Sequence, residues 1–312
     1  MASTISRSAW SAVDYDLAVF ALGFESRATN LINDVAERAT RSAALGFDYG
    51  HEVAYQANVR DFRAADVDIR ESLSDQIFEA VLDELFGRID DDECRSVFVD
   101  ISCFNRFRLA AIVRALFVAA QSRKNQLTVD IAYSLAQFEK PGGERHPNTV
   151  VGPAHQAFAG WSQGGYSSTA TVLGLGYEQD QALGVVEYLQ AGEVWAFTPS
   201  SPIQEYRAEV VQANALLLSE IRPSHIIDYD VCSPASVVAT LESVVSGLGT
   251  DHSVVLVPFG PKIFVLCSLV VAAMRQDIAV WRVSQGIHIS PHDRRASNVT
   301  VGLRLSFDPK RR

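Results

Sequence analysis

The chain is poor in the residues that usually announce a metal centre or a covalent framework. Its 312 residues include four cysteines, Cys94, Cys103, Cys232 and Cys267, with no CxxC spacing among them. Neither a zinc ribbon nor a disulfide scaffold fits that scatter, and buried or incidental thiols are expected. Long apolar runs are also missing. The longest, residues 263–274, falls well short of the roughly 20 residues that span a bilayer, and residues 1–10 have no signal-peptide core, so a cytoplasmic protein with no membrane attachment is expected. Positive charge is scarce as well: 27 Lys and Arg stand against 37 Asp and Glu, a formal net charge of −10. A wide cationic face for extended nucleic acid is therefore not expected, although a local basic pocket is compatible with this balance. The phosphate loop GxxxxGK[ST], the nucleophile elbow GxSxG and the zinc motif HExxH are all absent. His288 and His292 are four apart, but Pro291 between them forbids a regular helix, so no metal site is expected and no cofactor is indicated.

What is present is an ordinary globular composition, 48% hydrophobic and 21% charged, in a length suited to two domains. The two halves repeat one another. Leu22-Gly23-Phe24-Glu25 returns as Leu175-Gly176-Tyr177-Glu178, Gln56-Ala57-Asn58 as Gln212-Ala213-Asn214, and Ser96-Val97-Phe98-Val99 in pattern as Ser253-Val254-Val255-Leu256. The three matches keep their order at offsets of 153, 156 and 157 residues. That period is far longer than a solenoid repeat, so the duplicated unit is a whole domain.

Within each half, short apolar runs alternate with amphipathic stretches. In the first half, strands are expected at residues 16–22, 42–47, 96–101 and 128–134, and helices at 28–38, 74–86 and 109–120. The second half repeats the order, with a helix expected over 204–221 and strands at 170–175, 194–197, 224–229, 253–257 and 278–283. The expected fold is α/β: two tandem Rossmann-like domains, each a mostly parallel sheet flanked by helices. The boundaries read as 1–137, a Gly/Pro-rich connection at 138–168, and 169–312 with an added C-terminal strand at 298–307. Residues 310–312 read as a solvated basic tail.

In open parallel sheets, ligands bind beyond the carboxyl ends of the strands, where the strand order reverses. The repeated motifs fall at such ends. Gly23 and Gly176 supply the turn into a helix, and Gly174-Leu175-Gly176 begins a dinucleotide fingerprint that Gln179 interrupts. Glu25 and Glu178 are candidate acid/base groups or acceptors for ligand hydroxyls, and also fit helix capping. If the strand ends of the two halves faced each other, these carboxylates would approach one cleft. The densest polar cluster is residues 100–108. Asp100 is a third candidate acid/base group, and Ser102, Asn105, Arg106 and Arg27 are candidate anion ligands; Asp100 and Ser102 as helix caps is the structural alternative. At an offset of 157, Asp100 becomes Val257, Ser102 becomes Phe259 and Arg106 becomes Ile263, leaving Lys262 opposite Asn105 as the charged survivor and, with Gly23 and Gly176, a further candidate ligand-binding residue. Asn58 and Asn214 read as turn or cap residues, with ligand contact as the alternative.

In topology this arrangement resembles tandem Rossmann-type sensors such as the CARF domains, and that resemblance implies a nucleotide-type ligand held between two equivalent half-sites. Three readings follow: a protein that binds or senses a phosphorylated nucleotide-type ligand in a cleft between the two halves, a hydrolase or transferase acting on a nucleotide, nucleoside or sugar with carboxylate acid/base residues, and a non-catalytic subunit with a protein partner or a second copy of itself.

Overall fold

The computed structural model describes residues 1–87, 95–140, 150–160, 168–249, 251–284 and 291–308. The run LAVFAL forms strand β2 (Leu17–Leu22), and all six of its residues are buried. That two-sided burial marks a central parallel strand. Around it, β3 (Ser42–Phe47), β4 (Asp68–Leu73), β5 (Ser96–Asp100) and β6 (Leu127–Ala136) complete a parallel sheet in the order β6-β5-β2-β3-β4. The second sheet repeats this plan with β8 (Ser168–Gly174), β9 (Glu193–Ser200), β10 (Ile226–Asp230), β11 (His252–Pro258) and β12 (Ala279–Ser284), ordered β10-β9-β8-β11-β12. Numbered within its own half, each sheet runs 3-2-1-4-5, the doubly wound order whose switch point lies between the first and fourth strands. Two tandem α/β sheets of common topology are thus established.

Each sheet carries antiparallel additions beyond its fifth strand. In the second, β7 (Val150–Pro153) lies against β12. In the first, β13 (Ala296–Phe307) pairs with β6, and β1 (Ala2–Ile5) pairs with β13. The C-terminal strand, expected in the second domain, therefore belongs to the first sheet. Side-chain chemistry gives the reason: Arg304 holds the buried Asp130 of β6 through Nε and Nη2, each at 2.7 Å, and Tyr15 donates to the same carboxylate at 2.6 Å. The backbone also makes room, since a β-carbon on Gly302 would fall 2.4 Å from the Trp10 ring, which is fully buried in helix α1 (Arg7–Trp10). The chain divides into two compact units, Met1–Gln137 with Ser290–Arg312 and Phe138–Ile289. The span 138–168 holds β7 and a short 3₁₀ turn, Gln156–Phe158. Much of its Gly/Pro-rich sequence, at 141–149 and 161–167, lies outside the described residues, as do Cys94, His288 and the basic tail.

The helix expected over 28–38 is instead two 3₁₀ turns, Ser26–Thr29 and Ala36–Arg38, flanking α2 (Ile32–Val35). Its apolar face is as expected, with Leu31, Ile32 and Val35 buried, but the helical backbone breaks at Leu31, φ −108° and ψ 3°, beside Asn30, whose side chain bonds Ser134. Helix α3 (Tyr55–Ala64) and α4 (Asp75–Gly87) follow, and α5 (Arg106–Ser122) covers the first sheet after β5. In the second unit α6 (Gln181–Leu189) follows β8, and the helix expected over 204–221 is split by Asn214 into α7 (Glu205–Ala213) and α8 (Ala215–Glu220). Next come α9 (Pro234–Leu248), which opens on proline, and α10 (Lys262–Met274), buried continuously from Ile263 to Ala272.

Candidate functional site

The first sheet divides at its switch point. β2 pairs with β5 only through Leu17↔Val97, Ala18↔Phe98 and Val19↔Val99. Beyond that, β2 continues with β3 to Leu22↔Gly46, while β5 continues with β6 to Asp100↔Ala132. In the second sheet the equivalent pair stays joined to Pro258↔Gly174, and the amides of Phe259 and Gly260 then close on Gly174 O at 2.8 and 2.9 Å. The first and fourth strands thus part early in the first sheet and stay paired in the second.

A buried polar network lies where the strands of the first sheet part. Asp100, 2% exposed, accepts from the Ser102 amide at 2.9 Å and the Ser102 hydroxyl at 2.5 Å. Ser102 Oγ in turn receives the Ser134 amide at 2.8 Å. Arg27 Nη1 donates to Ser134 O at 3.0 Å, Asn30 Nδ2 to Ser134 Oγ at 3.0 Å, and Arg27 Nε to Glu25 Oε2 at 2.5 Å. Burial works against the Arg27 charge, yet the fields of Tyr133, Glu25 and Cys103 outweigh it, so the guanidinium holds its proton even more firmly than an ordinary arginine. The network joins four residues expected at the site, Glu25, Arg27, Asp100 and Ser102. It assigns Ser102, which is fully buried, to holding strand ends together.

The second unit lacks this network. Asp100 and Ser102 correspond to Val257 and Phe259, and Arg27 to the exposed Asp180. Ile131 pairs with Val99 as Val280 pairs with Leu256, so Ser134 corresponds to Val283. Glu178 has consequently lost the partners of its counterpart: Arg27 is replaced by Asp180, and Cys103, whose Sγ lies 3.8 Å from Glu25 Oε2, by Gly260. Glu178 Oε2 is buried with no hydrogen-bond partner among the described residues, packed so closely that a β-carbon at Gly176 would meet it at 2.2 Å.

The repeated asparagines have one shared task. Asn58 Nδ2 donates to Gly23 O and Glu25 O, both at 2.9 Å, and Asn214 Nδ2 donates to Gly176 O at 2.7 Å. Each clamps the strand-end glycine loop from a neighbouring helix. The turn-or-cap expectation fails for Asn58, which sits within α3, and holds in part for Asn214, which lies at the α7–α8 junction.

The loop after β5 ends at Asn105, the N-cap of α5, whose Oδ1 accepts the Arg108 amide at 2.8 Å. This corrects the placement of Asp100 and Ser102 as caps: both lie too deep in the sheet end. Arg108, 0% exposed, donates to Gly46 O at 2.8 Å, to Leu73 O, and to Asp75 at 3.2 Å, with its guanidinium 3.8 Å from the Phe47 ring centre. It braces β3, β4 and α4 behind the site. Arg106 and Lys262, both half-buried, are the first residues of α5 and α10. The loop after β11 is shorter, so Lys262 matches Arg106 by its place in the helix and not, as the sequence offset suggests, Asn105.

Sequence reasoning passed over Ser134, Asn30 and Cys103. The legible signal was positional: Ser134 is a polar residue in the otherwise apolar final stretch of β6, and Cys103 lies inside the polar cluster at 100–108. An open groove of about 610 Å³ lies at the opposite, amino-terminal edge of the same sheet, lined by Glu37, Arg41, Asp66 and Glu84 among others, and includes none of the expected site residues. Among the described residues no cluster of metal-ligating side chains occurs, and no helix is long and apolar enough to cross a membrane.

No protein-family model and no curated protein matches the chain. Among solved structures it is similar to a protein of Pseudomonas aeruginosa UCBPP-PA14 provisionally named a universal stress protein, with 10% identity over 88% of this chain and 95% of that one and a TM-score of 0.26. It is also similar to a type III CRISPR defence DNA nuclease activated by cyclic oligoadenylate, with 13% identity, 85% and 64% coverage and a TM-score of 0.48. A third is the cytoplasmic domain of a prokaryotic cation chloride cotransporter, with 10% identity, 88% and 98% coverage and a TM-score of 0.27. These likenesses concern the α/β fold alone.

Proposed function

We propose that the protein binds a small phosphorylated ligand of nucleotide type at the open switch point of its first sheet. The observation that carries this reading occurs twice: the helix after the fourth parallel strand begins with a cation, Arg106 on α5 and Lys262 on α10. A positive charge at that position opposes the helix dipole, at a cost of about 0.3–1 kcal/mol. An anion held at the same helix end reverses the sign, because the guanidinium and the backbone N–H groups then act together. The first unit is the favoured site because its strands part there and Glu25, 15% exposed at its side chain, borders the gap as an acceptor for ligand hydroxyls. Arg106 is assigned to the phosphate, Asn105 to shaping the helix end, and Gly23 to the close approach of ligand and loop.

The test is a thermal-shift screen against mono-, di- and cyclic nucleotides, nucleotide sugars and dinucleotides, with and without Mg²⁺. A ligand of the folded state raises the midpoint by mass action. The reading expects a shift that Arg106→Ala removes, and a panel with no shift would contradict it. The hydrolase or transferase reading rests on Glu25, and Glu25→Gln separates it: turnover lost with binding retained is the signature of a proton-transfer group.

A further inference from the structure

The chain passes between its two compact units twice, after Gln137 and before Ser290. Within the first unit, the segments that lead to the two crossings lie side by side. Gln137 N donates to Arg295 O at 2.9 Å, its side chain to Ala296 O at 3.2 Å, and Ala296 pairs with Ala136. The loop after β2 grips both of them. On the outgoing side, Arg27 and Asn30 hold the carbonyl and hydroxyl of Ser134, three residues before the crossing, each at 3.0 Å. On the returning side, the Ser26 amide donates to Asp293 Oδ1 at 2.7 Å, three residues past Ser290.

From this geometry we infer that residues 25–30 couple ligand occupancy at the switch point to the two crossings of the chain, through Asp293 on one and Ser134 on the other. The inference rests on the binding reading above. Three contacts come from one short segment, Ser26 to Asp293 and Arg27 and Asn30 to Ser134, and the binding reading adds Glu25 as the residue that meets the ligand. A ligand group that engages Glu25 changes the balance on Arg27, which bridges Glu25 Oε2 and Ser134 O. Coupling of this kind needs a contiguous set of contacts with a differential preference for one ligand state, and the segment supplies the contacts. The duplicated loop of the second unit has Gln179 and Asp180 in place of Ser26 and Arg27, both exposed, so the grip is particular to the copy from which the chain departs.

The experiment is amide hydrogen exchange on the full chain, with wild type, Asp293→Ala and Asn30→Ala compared by peptide. Both altered residues are half-buried rather than core, and the thermal midpoint of each variant checks that the fold is kept. The coupling account expects Asp293→Ala to speed exchange about fivefold or more at residues 134–140, on the other crossing, and Asn30→Ala to do the same at 291–296. Acceleration confined in each variant to the segment that lost its own contact would overturn it. No ligand enters this comparison, so it judges the coupling even if the binding reading fails. Inorganic phosphate as the added probe then tests the link: slower exchange at both crossings in wild type and not in Asp293→Ala supports it. Phosphate that slows exchange around residues 100–108 alone shows binding without coupling and overturns the inference while leaving the site in place.

Discussion

Burying a guanidinium is costly unless it is paired and hydrogen-bonded, and Arg27, 4% exposed, donates through Nε to Glu25 and through Nη1 to Ser134 O. Arg27→Met should therefore lose about 3–5 kcal/mol in urea unfolding, because it takes the guanidinium away from a part-buried carboxylate and a buried carbonyl. Asp180→Ala, at the exposed equivalent position, should stay within about 0.5 kcal/mol. Equal losses at the two positions would show that the network carries no special load. Tyr15 sets a pH dependence. Burial, with Asp130 adding to it, raises its hydroxyl well above the usual tyrosine range, and burial does the same to the Cys267 thiol. In the unfolded chain these groups ionise near their ordinary values of about 10 and 8.5 while the folded chain keeps its protons, so stability falls as pH rises through that window. Tyr15→Phe should flatten the decline in an unfolding series from pH 8 to 11; an unchanged slope would remove Tyr15 from the account. At this scale the sequence showed Glu25, Arg27, Asp100 and Ser102 as a polar group at strand ends. It did not show that Ser102 accepts the Ser134 amide or that Asn58 donates to Gly23 O, since hydrogen-bond partners 30 or more residues away leave no local trace.

Element by element, the buried strands were the most legible, because β2, β5, β8 and β11 are runs with little polar interruption. The edge strand β4 was not: DIRESL is largely exposed and lacks the apolar signature. The alternation of β13 was read, but its home sheet was not, as that depends on Asp130, Tyr15 and Trp10 far away in the chain. Replacing Arg304 by Ala should cost about 2–3 kcal/mol, below the full value for a buried pair because Arg304 is 30% exposed at its side chain. Gly302→Val should destabilise the first unit by forcing the Trp10 ring out of its place. A calorimetric scan checks both, and an unaltered scan for either would mean that β13 is held by its backbone pairing alone. The asparagine clamps give a paired test. Asn58→Ala and Asn214→Ala each orphan a strand-end carbonyl, and each should lose about 1–3 kcal/mol.

For the whole molecule, the duplication acts as an internal control. The second unit shows that a 3-2-1-4-5 sheet of this lineage folds with Val257, Phe259 and Val283 where the first has Asp100, Ser102 and Ser134. The polar set is thus not a requirement of the topology; it is particular to the copy whose first and fourth strands part. The repeat itself was legible from three short matches; the earlier parting of the first and fourth strands in the first sheet was not, because it depends on how far β2 and β5 stay paired.

The central claim is tested most directly by isothermal titration of the nucleotide giving the largest thermal shift into wild type and Arg106→Ala. The account expects the variant to bind at least about tenfold more weakly, as loss of a charge-assisted phosphate contact requires. An affinity within about twofold of wild type, in a variant that keeps its fold, would contradict it.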